Sequence, residues 1–258
     1  MPARSLVRIA HAGGGSLAAP NSLEGIARSL SYGVEMIEID VRSTRDGRLV
    51  LSHDDVVGRT SIAASAFDDL RRAQPEIASL DEALDVIAGR TTLNLDIKDA
   101  PSMSRVGATV RAHGAVDRCI VSSLERSWLM ALSDLEPSIP AFLSYPADKG
   151  GTSQKPWLKP VVSGVVSLMR MTLPSRLPRM VRGLDGAGVT LYHPLITPRL
   201  VALVHEMRLS LYAWTVDEPV RMRELVEMGV DGITSNRPDL LAELTPTMGV
   251  DAERVSGS

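Results

Sequence analysis

The chain has 258 residues, 44% of them hydrophobic and 23% charged, with a net charge of −3: room for one substantial core or two small ones, and no basic bias toward nucleic acid. Two Phe, three Trp and four Tyr are too few for the stacking platforms that bind single strands or long sugars. The one cysteine, Cys119, excludes an internal disulfide and a cysteine-rich zinc site, and its apolar setting, CIV, marks a buried thiol.

The opening MPARSLVRIAHAGGG lacks the apolar core of a signal peptide, and no run reaches the roughly 18 apolar residues of a membrane span, so a cytoplasmic location is the expectation. Apolar runs bounded by turn signals then alternate with helical patterns, as in βα units. Strands are expected at residues 7–10, 36–41, 93–97, 120–122, 141–144, 189–192, 210–214 and 232–234. Helices are expected at 22–32, 79–88, 104–113, 125–135, 198–207 and 219–228, most with apolar residues at three- and four-residue spacing. A further strand, 49–54, follows 36–41 after only RSTRDGR, too short for a parallel crossover, so it pairs antiparallel as an inserted hairpin spanning about 44–60. The fold class is therefore α/β, a (β/α)8 barrel with a small hairpin insertion after the second strand, and residues 1–258 read as one domain.

One segment breaks the rhythm. Residues 146–184 carry seven basic side chains (Lys149, Lys155, Lys159, Arg170, Arg176, Arg179, Arg182) against Asp148 alone, a local +6 on a chain whose total is −3. The segment also holds VVSGVVSLM, suited to an amphipathic lid over the site or to peripheral membrane contact. A solvated excursion with a buried helix is the competing reading.

Sites in such barrels form at the C-terminal ends of strands. That rule selects His11, Glu38, Asp40, Asp96, Lys98, Ser122, Ser123, Tyr192, His193, Trp214 and Thr234. Glu38 and Asp40 share a strand face at i and i+2. With Asp96 they offer oxygen ligands alone, suited to Mg²⁺ or Ca²⁺. Lys98 is placed to hold an anionic phosphoryl oxygen, and His11 and His53 to act as acid and base on opposite sides of phosphorus. His53 reaches the rim only if the hairpin folds over it. Asn21 and His193 are further candidate substrate contacts, Trp214 either core or an apolar pocket wall, and His113 and His205 surface residues.

At these positions the sequence resembles the glycerophosphodiester phosphodiesterases. His11-Ala12-Gly13, Pro20-Asn21-Ser22, Glu38-Ile39-Asp40, Thr44-Arg45-Asp46-Gly47 and His53-Asp54 echo that family's motifs, as do LNLDIK, YAWTVDEP and GVDGITSNRP further on. The likeness covers nearly the whole chain and is weakest in the basic segment. It implies a TIM barrel, a divalent cation on Glu38, Asp40 and Asp96, and His11 and His53 as the acid/base pair. It also implies attack by the substrate's own glycerol hydroxyl through a cyclic phosphate, with Lys98 stabilising the pentavalent charge. The expected substrate is a glycerophosphodiester or lysophospholipid. Three departures stand out: Ala12 replaces the usual Arg, the Glu after Pro20 is missing, and Asp96 stands where Glu is usual. They point to altered specificity. The alternatives are a phospholipase D-like lyase that releases the cyclic phosphate, and a catalytically weak barrel that binds phosphodiesters or a membrane.

Overall fold

The computed structural model describes residues 5–146, 159–184 and 186–244. Its strands are β1 (Val7–Ala10), β2 (Met36–Ser43), β3 (Leu49–Leu51), β4 (Val56–Val57), β5 (Thr60–Ser61), β6 (Thr92–Ile97), β7 (Cys119–Ser123), β8 (Ala141–Tyr145), β9 (Gly186–Tyr192), β10 (Ser210–Trp214) and β11 (Gly232–Ser235). The described helices are α1 (Leu23–Leu30), α2 (Phe67–Ala73), α3 (Leu80–Ile87), α4 (Ala100–Ala112), α5 (Arg126–Leu135), α6 (Lys159–Met180), α7 (Pro198–Glu206), α8 (Pro219–Met228) and α9 (Pro238–Ala242).

The sheet runs β1-β11-β10-β9-β8-β7-β6-β2 with every pair parallel, and β1 also pairs with β2, which closes the barrel. β3 lies antiparallel on β2, Val41 opposite Leu51, as the short connection requires. This strand ends at Leu51, so His53 lies just beyond it. β4 and β5 form a separate small hairpin.

Alternation along β2 explains both faces of the wall. Ile37, Ile39 and Val41 are fully buried in the core between strands and helices, while Met36, Glu38 and Asp40 take the opposite face, into the barrel. The lower barrel is filled by Ile9, Met36, Phe142 and Tyr212, whose rings stack 4.8 Å apart. Gly188 leaves room for this packing, since a Cβ there would collide with the Phe142 ring. Cys119 is buried, and burial pushes its thiol pKa up to about 12, in keeping with an inert core residue.

Residues 159–180, at the end of the basic segment, form α6, which carries the chain back toward β9 and packs on the turn His193–Leu195. Lys149 and Lys155 lie outside the described residues. No described helix is long and apolar enough to cross a membrane.

Candidate active site

Glu38 and Asp40 enter the upper barrel from β2, and strand register places Asp96 of β6 directly beside Asp40. One oxygen from each of the three lies within 4.8 Å of the others. Lys98, just past β6, bonds to Asp40 Oδ1 at 2.9 Å and Asp96 Oδ2 at 2.5 Å. Its ammonium thus sits among the carboxylates rather than facing open space. Ser122 Oγ donates to Asp96 Oδ1 at 3.1 Å.

Charge balance makes this a candidate cation site. Three carboxylates face one ammonium, and Glu38 bears the imbalance: burial first, then Asp40, push it up to about 7, against the pull of His11. For Asp40, burial acts upward, but Lys98 and the Asn21 hydrogen bond outweigh it and hold the carboxyl below its usual range. Burial likewise opposes a charge on Lys98, yet Asp96, Asp40 and Glu38 raise its pKa. An all-oxygen donor set with excess negative charge fits a hard divalent cation.

His11 follows β1 at the mouth of the barrel, in the short turn His11–Gly13. Ala12 there is left-handed, at φ 47° and ψ 42°, which turns its N–H onto Glu38 Oε2 at 2.7 Å. His11 Nε2 lies 3.9 Å from the same oxygen, and Nδ1 meets Asn236 Oδ1 at 2.7 Å. Burial works against charge on this ring, but Glu38, Asn236 and Asp40 prevail and the pKa is raised.

The inserted arm leaves β3 beside the backbone of Asp40 and carries His53 on its next turn, with no described bond from the His53 ring to His11 or to the carboxylates. Ser52 N donates to Asp40 O at 3.0 Å, and the next residue is His53. Its ring is well exposed, with Nδ1 on Asp54 Oδ1 at 2.8 Å, and Arg42 binds its carbonyl. His53, Ser52 and Asn21 border a cavity of about 630 Å³ between α1 and the arm.

Other expected contacts have different partners. Asn21, itself left-handed at φ 59°, donates Nδ2 to Asp40 Oδ2 at 2.7 Å and accepts from Asp40 N at 2.9 Å, so one end of its amide holds the Asp40 carboxylate and the other its backbone. His193 sits at the rim against Arg221, which donates to its carbonyl at 2.7 Å and its Nδ1 at 3.3 Å. Burial, then Arg221, lower its pKa to about 4, which keeps it neutral. Trp214 packs 5.7 Å from Tyr192 at the strand end, and its buried Nε1 has no partner among the described residues. His113 binds Asp81 and Asp85, and His205 binds Asp231, away from the cluster.

Asn236 and Asp217 escaped sequence reading. They stand in TSNRP and TVDEP, motifs whose position was visible, but the bond from Asn236 to His11 spans 225 residues and Asp217 meets His11 only through Asn236.

A family model described as the glycerophosphoryl diester phosphodiesterase family matches residues 11–101 and 86–240. "Probable glycerophosphodiester phosphodiesterase 2" of Mycobacterium tuberculosis is 32% identical over 263 residues, covering 94% of this chain and 92% of that protein. A glycerophosphodiester phosphodiesterase of Caldanaerobacter subterraneus subsp. tengcongensis is 24% identical, covering 92% and 96%. Among solved structures, an Oleispira antarctica phosphodiesterase in complex with the product sn-glycerol-3-phosphate matches with a TM-score of 0.77 at 21% identity, covering 93% of this chain and 96% of that one.

Proposed function

This chain belongs to the glycerophosphoryl diester phosphodiesterase family and is a phosphoric diester hydrolase, and from that premise we propose that it cleaves glycerophosphodiesters to a glycerol phosphate and an alcohol with His11 and His53 as the proton-transfer pair. The observation that carries the reading is the meeting of His11 Nε2 with the Glu38, Asp40 and Asp96 cluster at one rim. The free glycerol hydroxyl attacks phosphorus and gives its proton to one histidine. The alcohol departs with a proton from the other, and water then opens the cyclic phosphate with the two roles exchanged. Glu38, Asp40 and Asp96 would hold a divalent cation, Mg²⁺ or Ca²⁺, which when bound supplies positive charge for the phosphoryl oxygens. Lys98 anchors Asp40 and Asp96 and adds its own charge beside them. Trp214 and Tyr192 form an apolar wall at the rim.

The test is turnover of glycerophosphocholine in Mg²⁺, Ca²⁺ or chelator, with phosphorus NMR to show whether the cyclic phosphate is opened or released. His11→Ala and His53→Ala are each expected to lower kcat by roughly 10²- to 10⁴-fold. Undiminished turnover in chelator, or in either variant, would sink the mechanism.

Lysophospholipid turnover at a membrane surface is a second reading, favoured by α6. Leu173 and Leu177 bury one face of this helix in the core. Its opposite face leaves Val165, Leu168 and Met171 exposed by 50%, 62% and 79%. Arg170, Arg176 and Arg179 are exposed on the same helix, and it contains no acidic residue. Apolar side chains flanked by arginines suit an anionic bilayer. Leu168→Asp with Met171→Asp is expected to abolish sedimentation with phosphatidylserine vesicles while leaving glycerophosphocholine turnover intact. Unchanged sedimentation would reject this surface.

A further inference from the structure

Behind the reacting side of His11 lies a row of hydrogen bonds whose direction can be worked out atom by atom. Asp217 Oδ1 receives the backbone N–H of Asn236 at 2.8 Å and the hydroxyl of Ser235 at 2.9 Å, and Oδ2 receives Asn236 Nδ2 at 2.8 Å. A carboxylate has no proton to donate, so the amide nitrogen of Asn236 faces Asp217 and its oxygen faces His11. That oxygen, 2.7 Å from Nδ1, has no proton to donate either, so Nδ1 carries the hydrogen. Neutral His11 therefore keeps its lone pair on Nε2, the atom turned toward Glu38. Asn236 is held from the other side as well. Ser16 N donates to its carbonyl at 3.1 Å, and a Cβ on Gly15 would press to 3.2 Å from its Oδ1.

We infer that Asn236 and Asp217 are positioning residues that lock His11 in its Nδ1–H tautomer, so that its proton exchange with substrate takes place at Nε2. The catalytic consequence rests on the phosphodiester hydrolase reading, whereas the tautomer itself can be measured without turnover.

The donor pattern can be reversed without changing its shape. In the double variant Asp217→Asn, Asn236→Asp, the new carboxylate accepts from His11 Nδ1–H and from the new amide. The amide oxygen at 217 still accepts from the backbone N–H of residue 236 and from Ser235. Either single change instead breaks the order: Asp217→Asn turns the amide of Asn236 round and presents its nitrogen to His11, and Asn236→Asp sets two carboxylates against each other.

The experiment combines imidazole ¹⁵N NMR of the whole protein, at a pH where His11 is neutral, with steady-state kinetics on glycerophosphocholine. The expected result is an Nδ1–H signature for His11 in the wild type and a shift toward Nε2–H in Asp217→Asn. Asn236→Leu and Asp217→Asn should each lower kcat roughly 10- to 100-fold with KM within about twofold. The double variant should return kcat to within about fivefold of wild type, a recovery that mere loss of structure would not give. Wild-type His11 found as Nε2–H overturns the inference, as does full kcat in Asn236→Leu or a folded double variant no better than the singles. Absent turnover with an intact Nδ1–H signature would count against the proposed reaction and leave the tautomer lock standing.

Discussion

Ala12 and Gly14 show how much backbone geometry goes into placing one imidazole. Ala12 is left-handed, and a left-handed non-glycine residue costs about 1 kcal/mol. Ala12→Gly should therefore raise stability by a few tenths to about 1 kcal/mol in urea unfolding, after the greater freedom of the unfolded glycine chain is counted. Gly14 has φ 100°, and a Cβ there would collide with Ser29 Oγ, which donates to Gly13 O. Gly14→Ala should destabilise by about 2 kcal/mol or more in the same measurement. Glu38 gives a pH dependence of known sign. Its folded pKa of about 7 lies above the ordinary 4.5, so the native state holds a proton that the unfolded chain releases. In chelator, stability should fall as pH rises from about 4.5 to about 7, and Glu38→Gln should flatten that slope. The pairing of Glu38 with Asp40 was legible in the sequence, because strand alternation alone puts them on one face. The bonds from Asn21 to Asp40 and from Asn236 to His11 were not, because the first joins a left-handed loop residue to β2 and the second joins the two ends of the barrel wall, which meet only when it closes.

Among the elements, α5 and α8 match the expected 125–135 and 219–228 to within a residue without any side-chain cap, whereas α4 begins at Ala100, four residues before the expected 104. Ser79 and Glu82 form a reciprocal cap at the start of α3, and the motif is visible as Ser-x-x-Glu. Asp99 caps α4 by accepting from Ser102 N at 2.8 Å, and its other oxygen takes Ser43 N at 2.9 Å, which ties α4 to the end of β2. Asp99→Ala should cost about 1–2 kcal/mol of unfolding free energy. α6 was harder to read, for a physical reason. Pro174 and Pro178 lie inside it, and it carries apolar residues on both its buried and its exposed face, so no single stripe marks it as a helix. Short α2 and α9 lacked enough turns to show a period.

At the scale of the whole molecule, eight apolar runs at βα spacing were enough to specify a barrel, and the strand-end rule then selected its rim. The candidate ligand set comes from β2 and β6, so a cation held there should stabilise the fold and not the site alone. A divalent cation at a hundred times its Kd should add about 2.7 kcal/mol, read as a rise in Tm that Asp40→Asn abolishes. Barrel closure has one more consequence. β1 is flanked by β2, made just after it, and by β11, made near the end, and His11 takes its hydrogen-bond partner from residue 236. During translation, a ribosome that has passed Lys98 has already synthesised the proposed proton-transfer pair and the three clustered carboxylates, yet the imidazole at position 11 still lacks its amide partner. Nascent chains arrested before position 232 lack both that amide and β11, which joins β1 to β10, so they should be inert, and activity should switch on abruptly once β11 emerges from the exit tunnel.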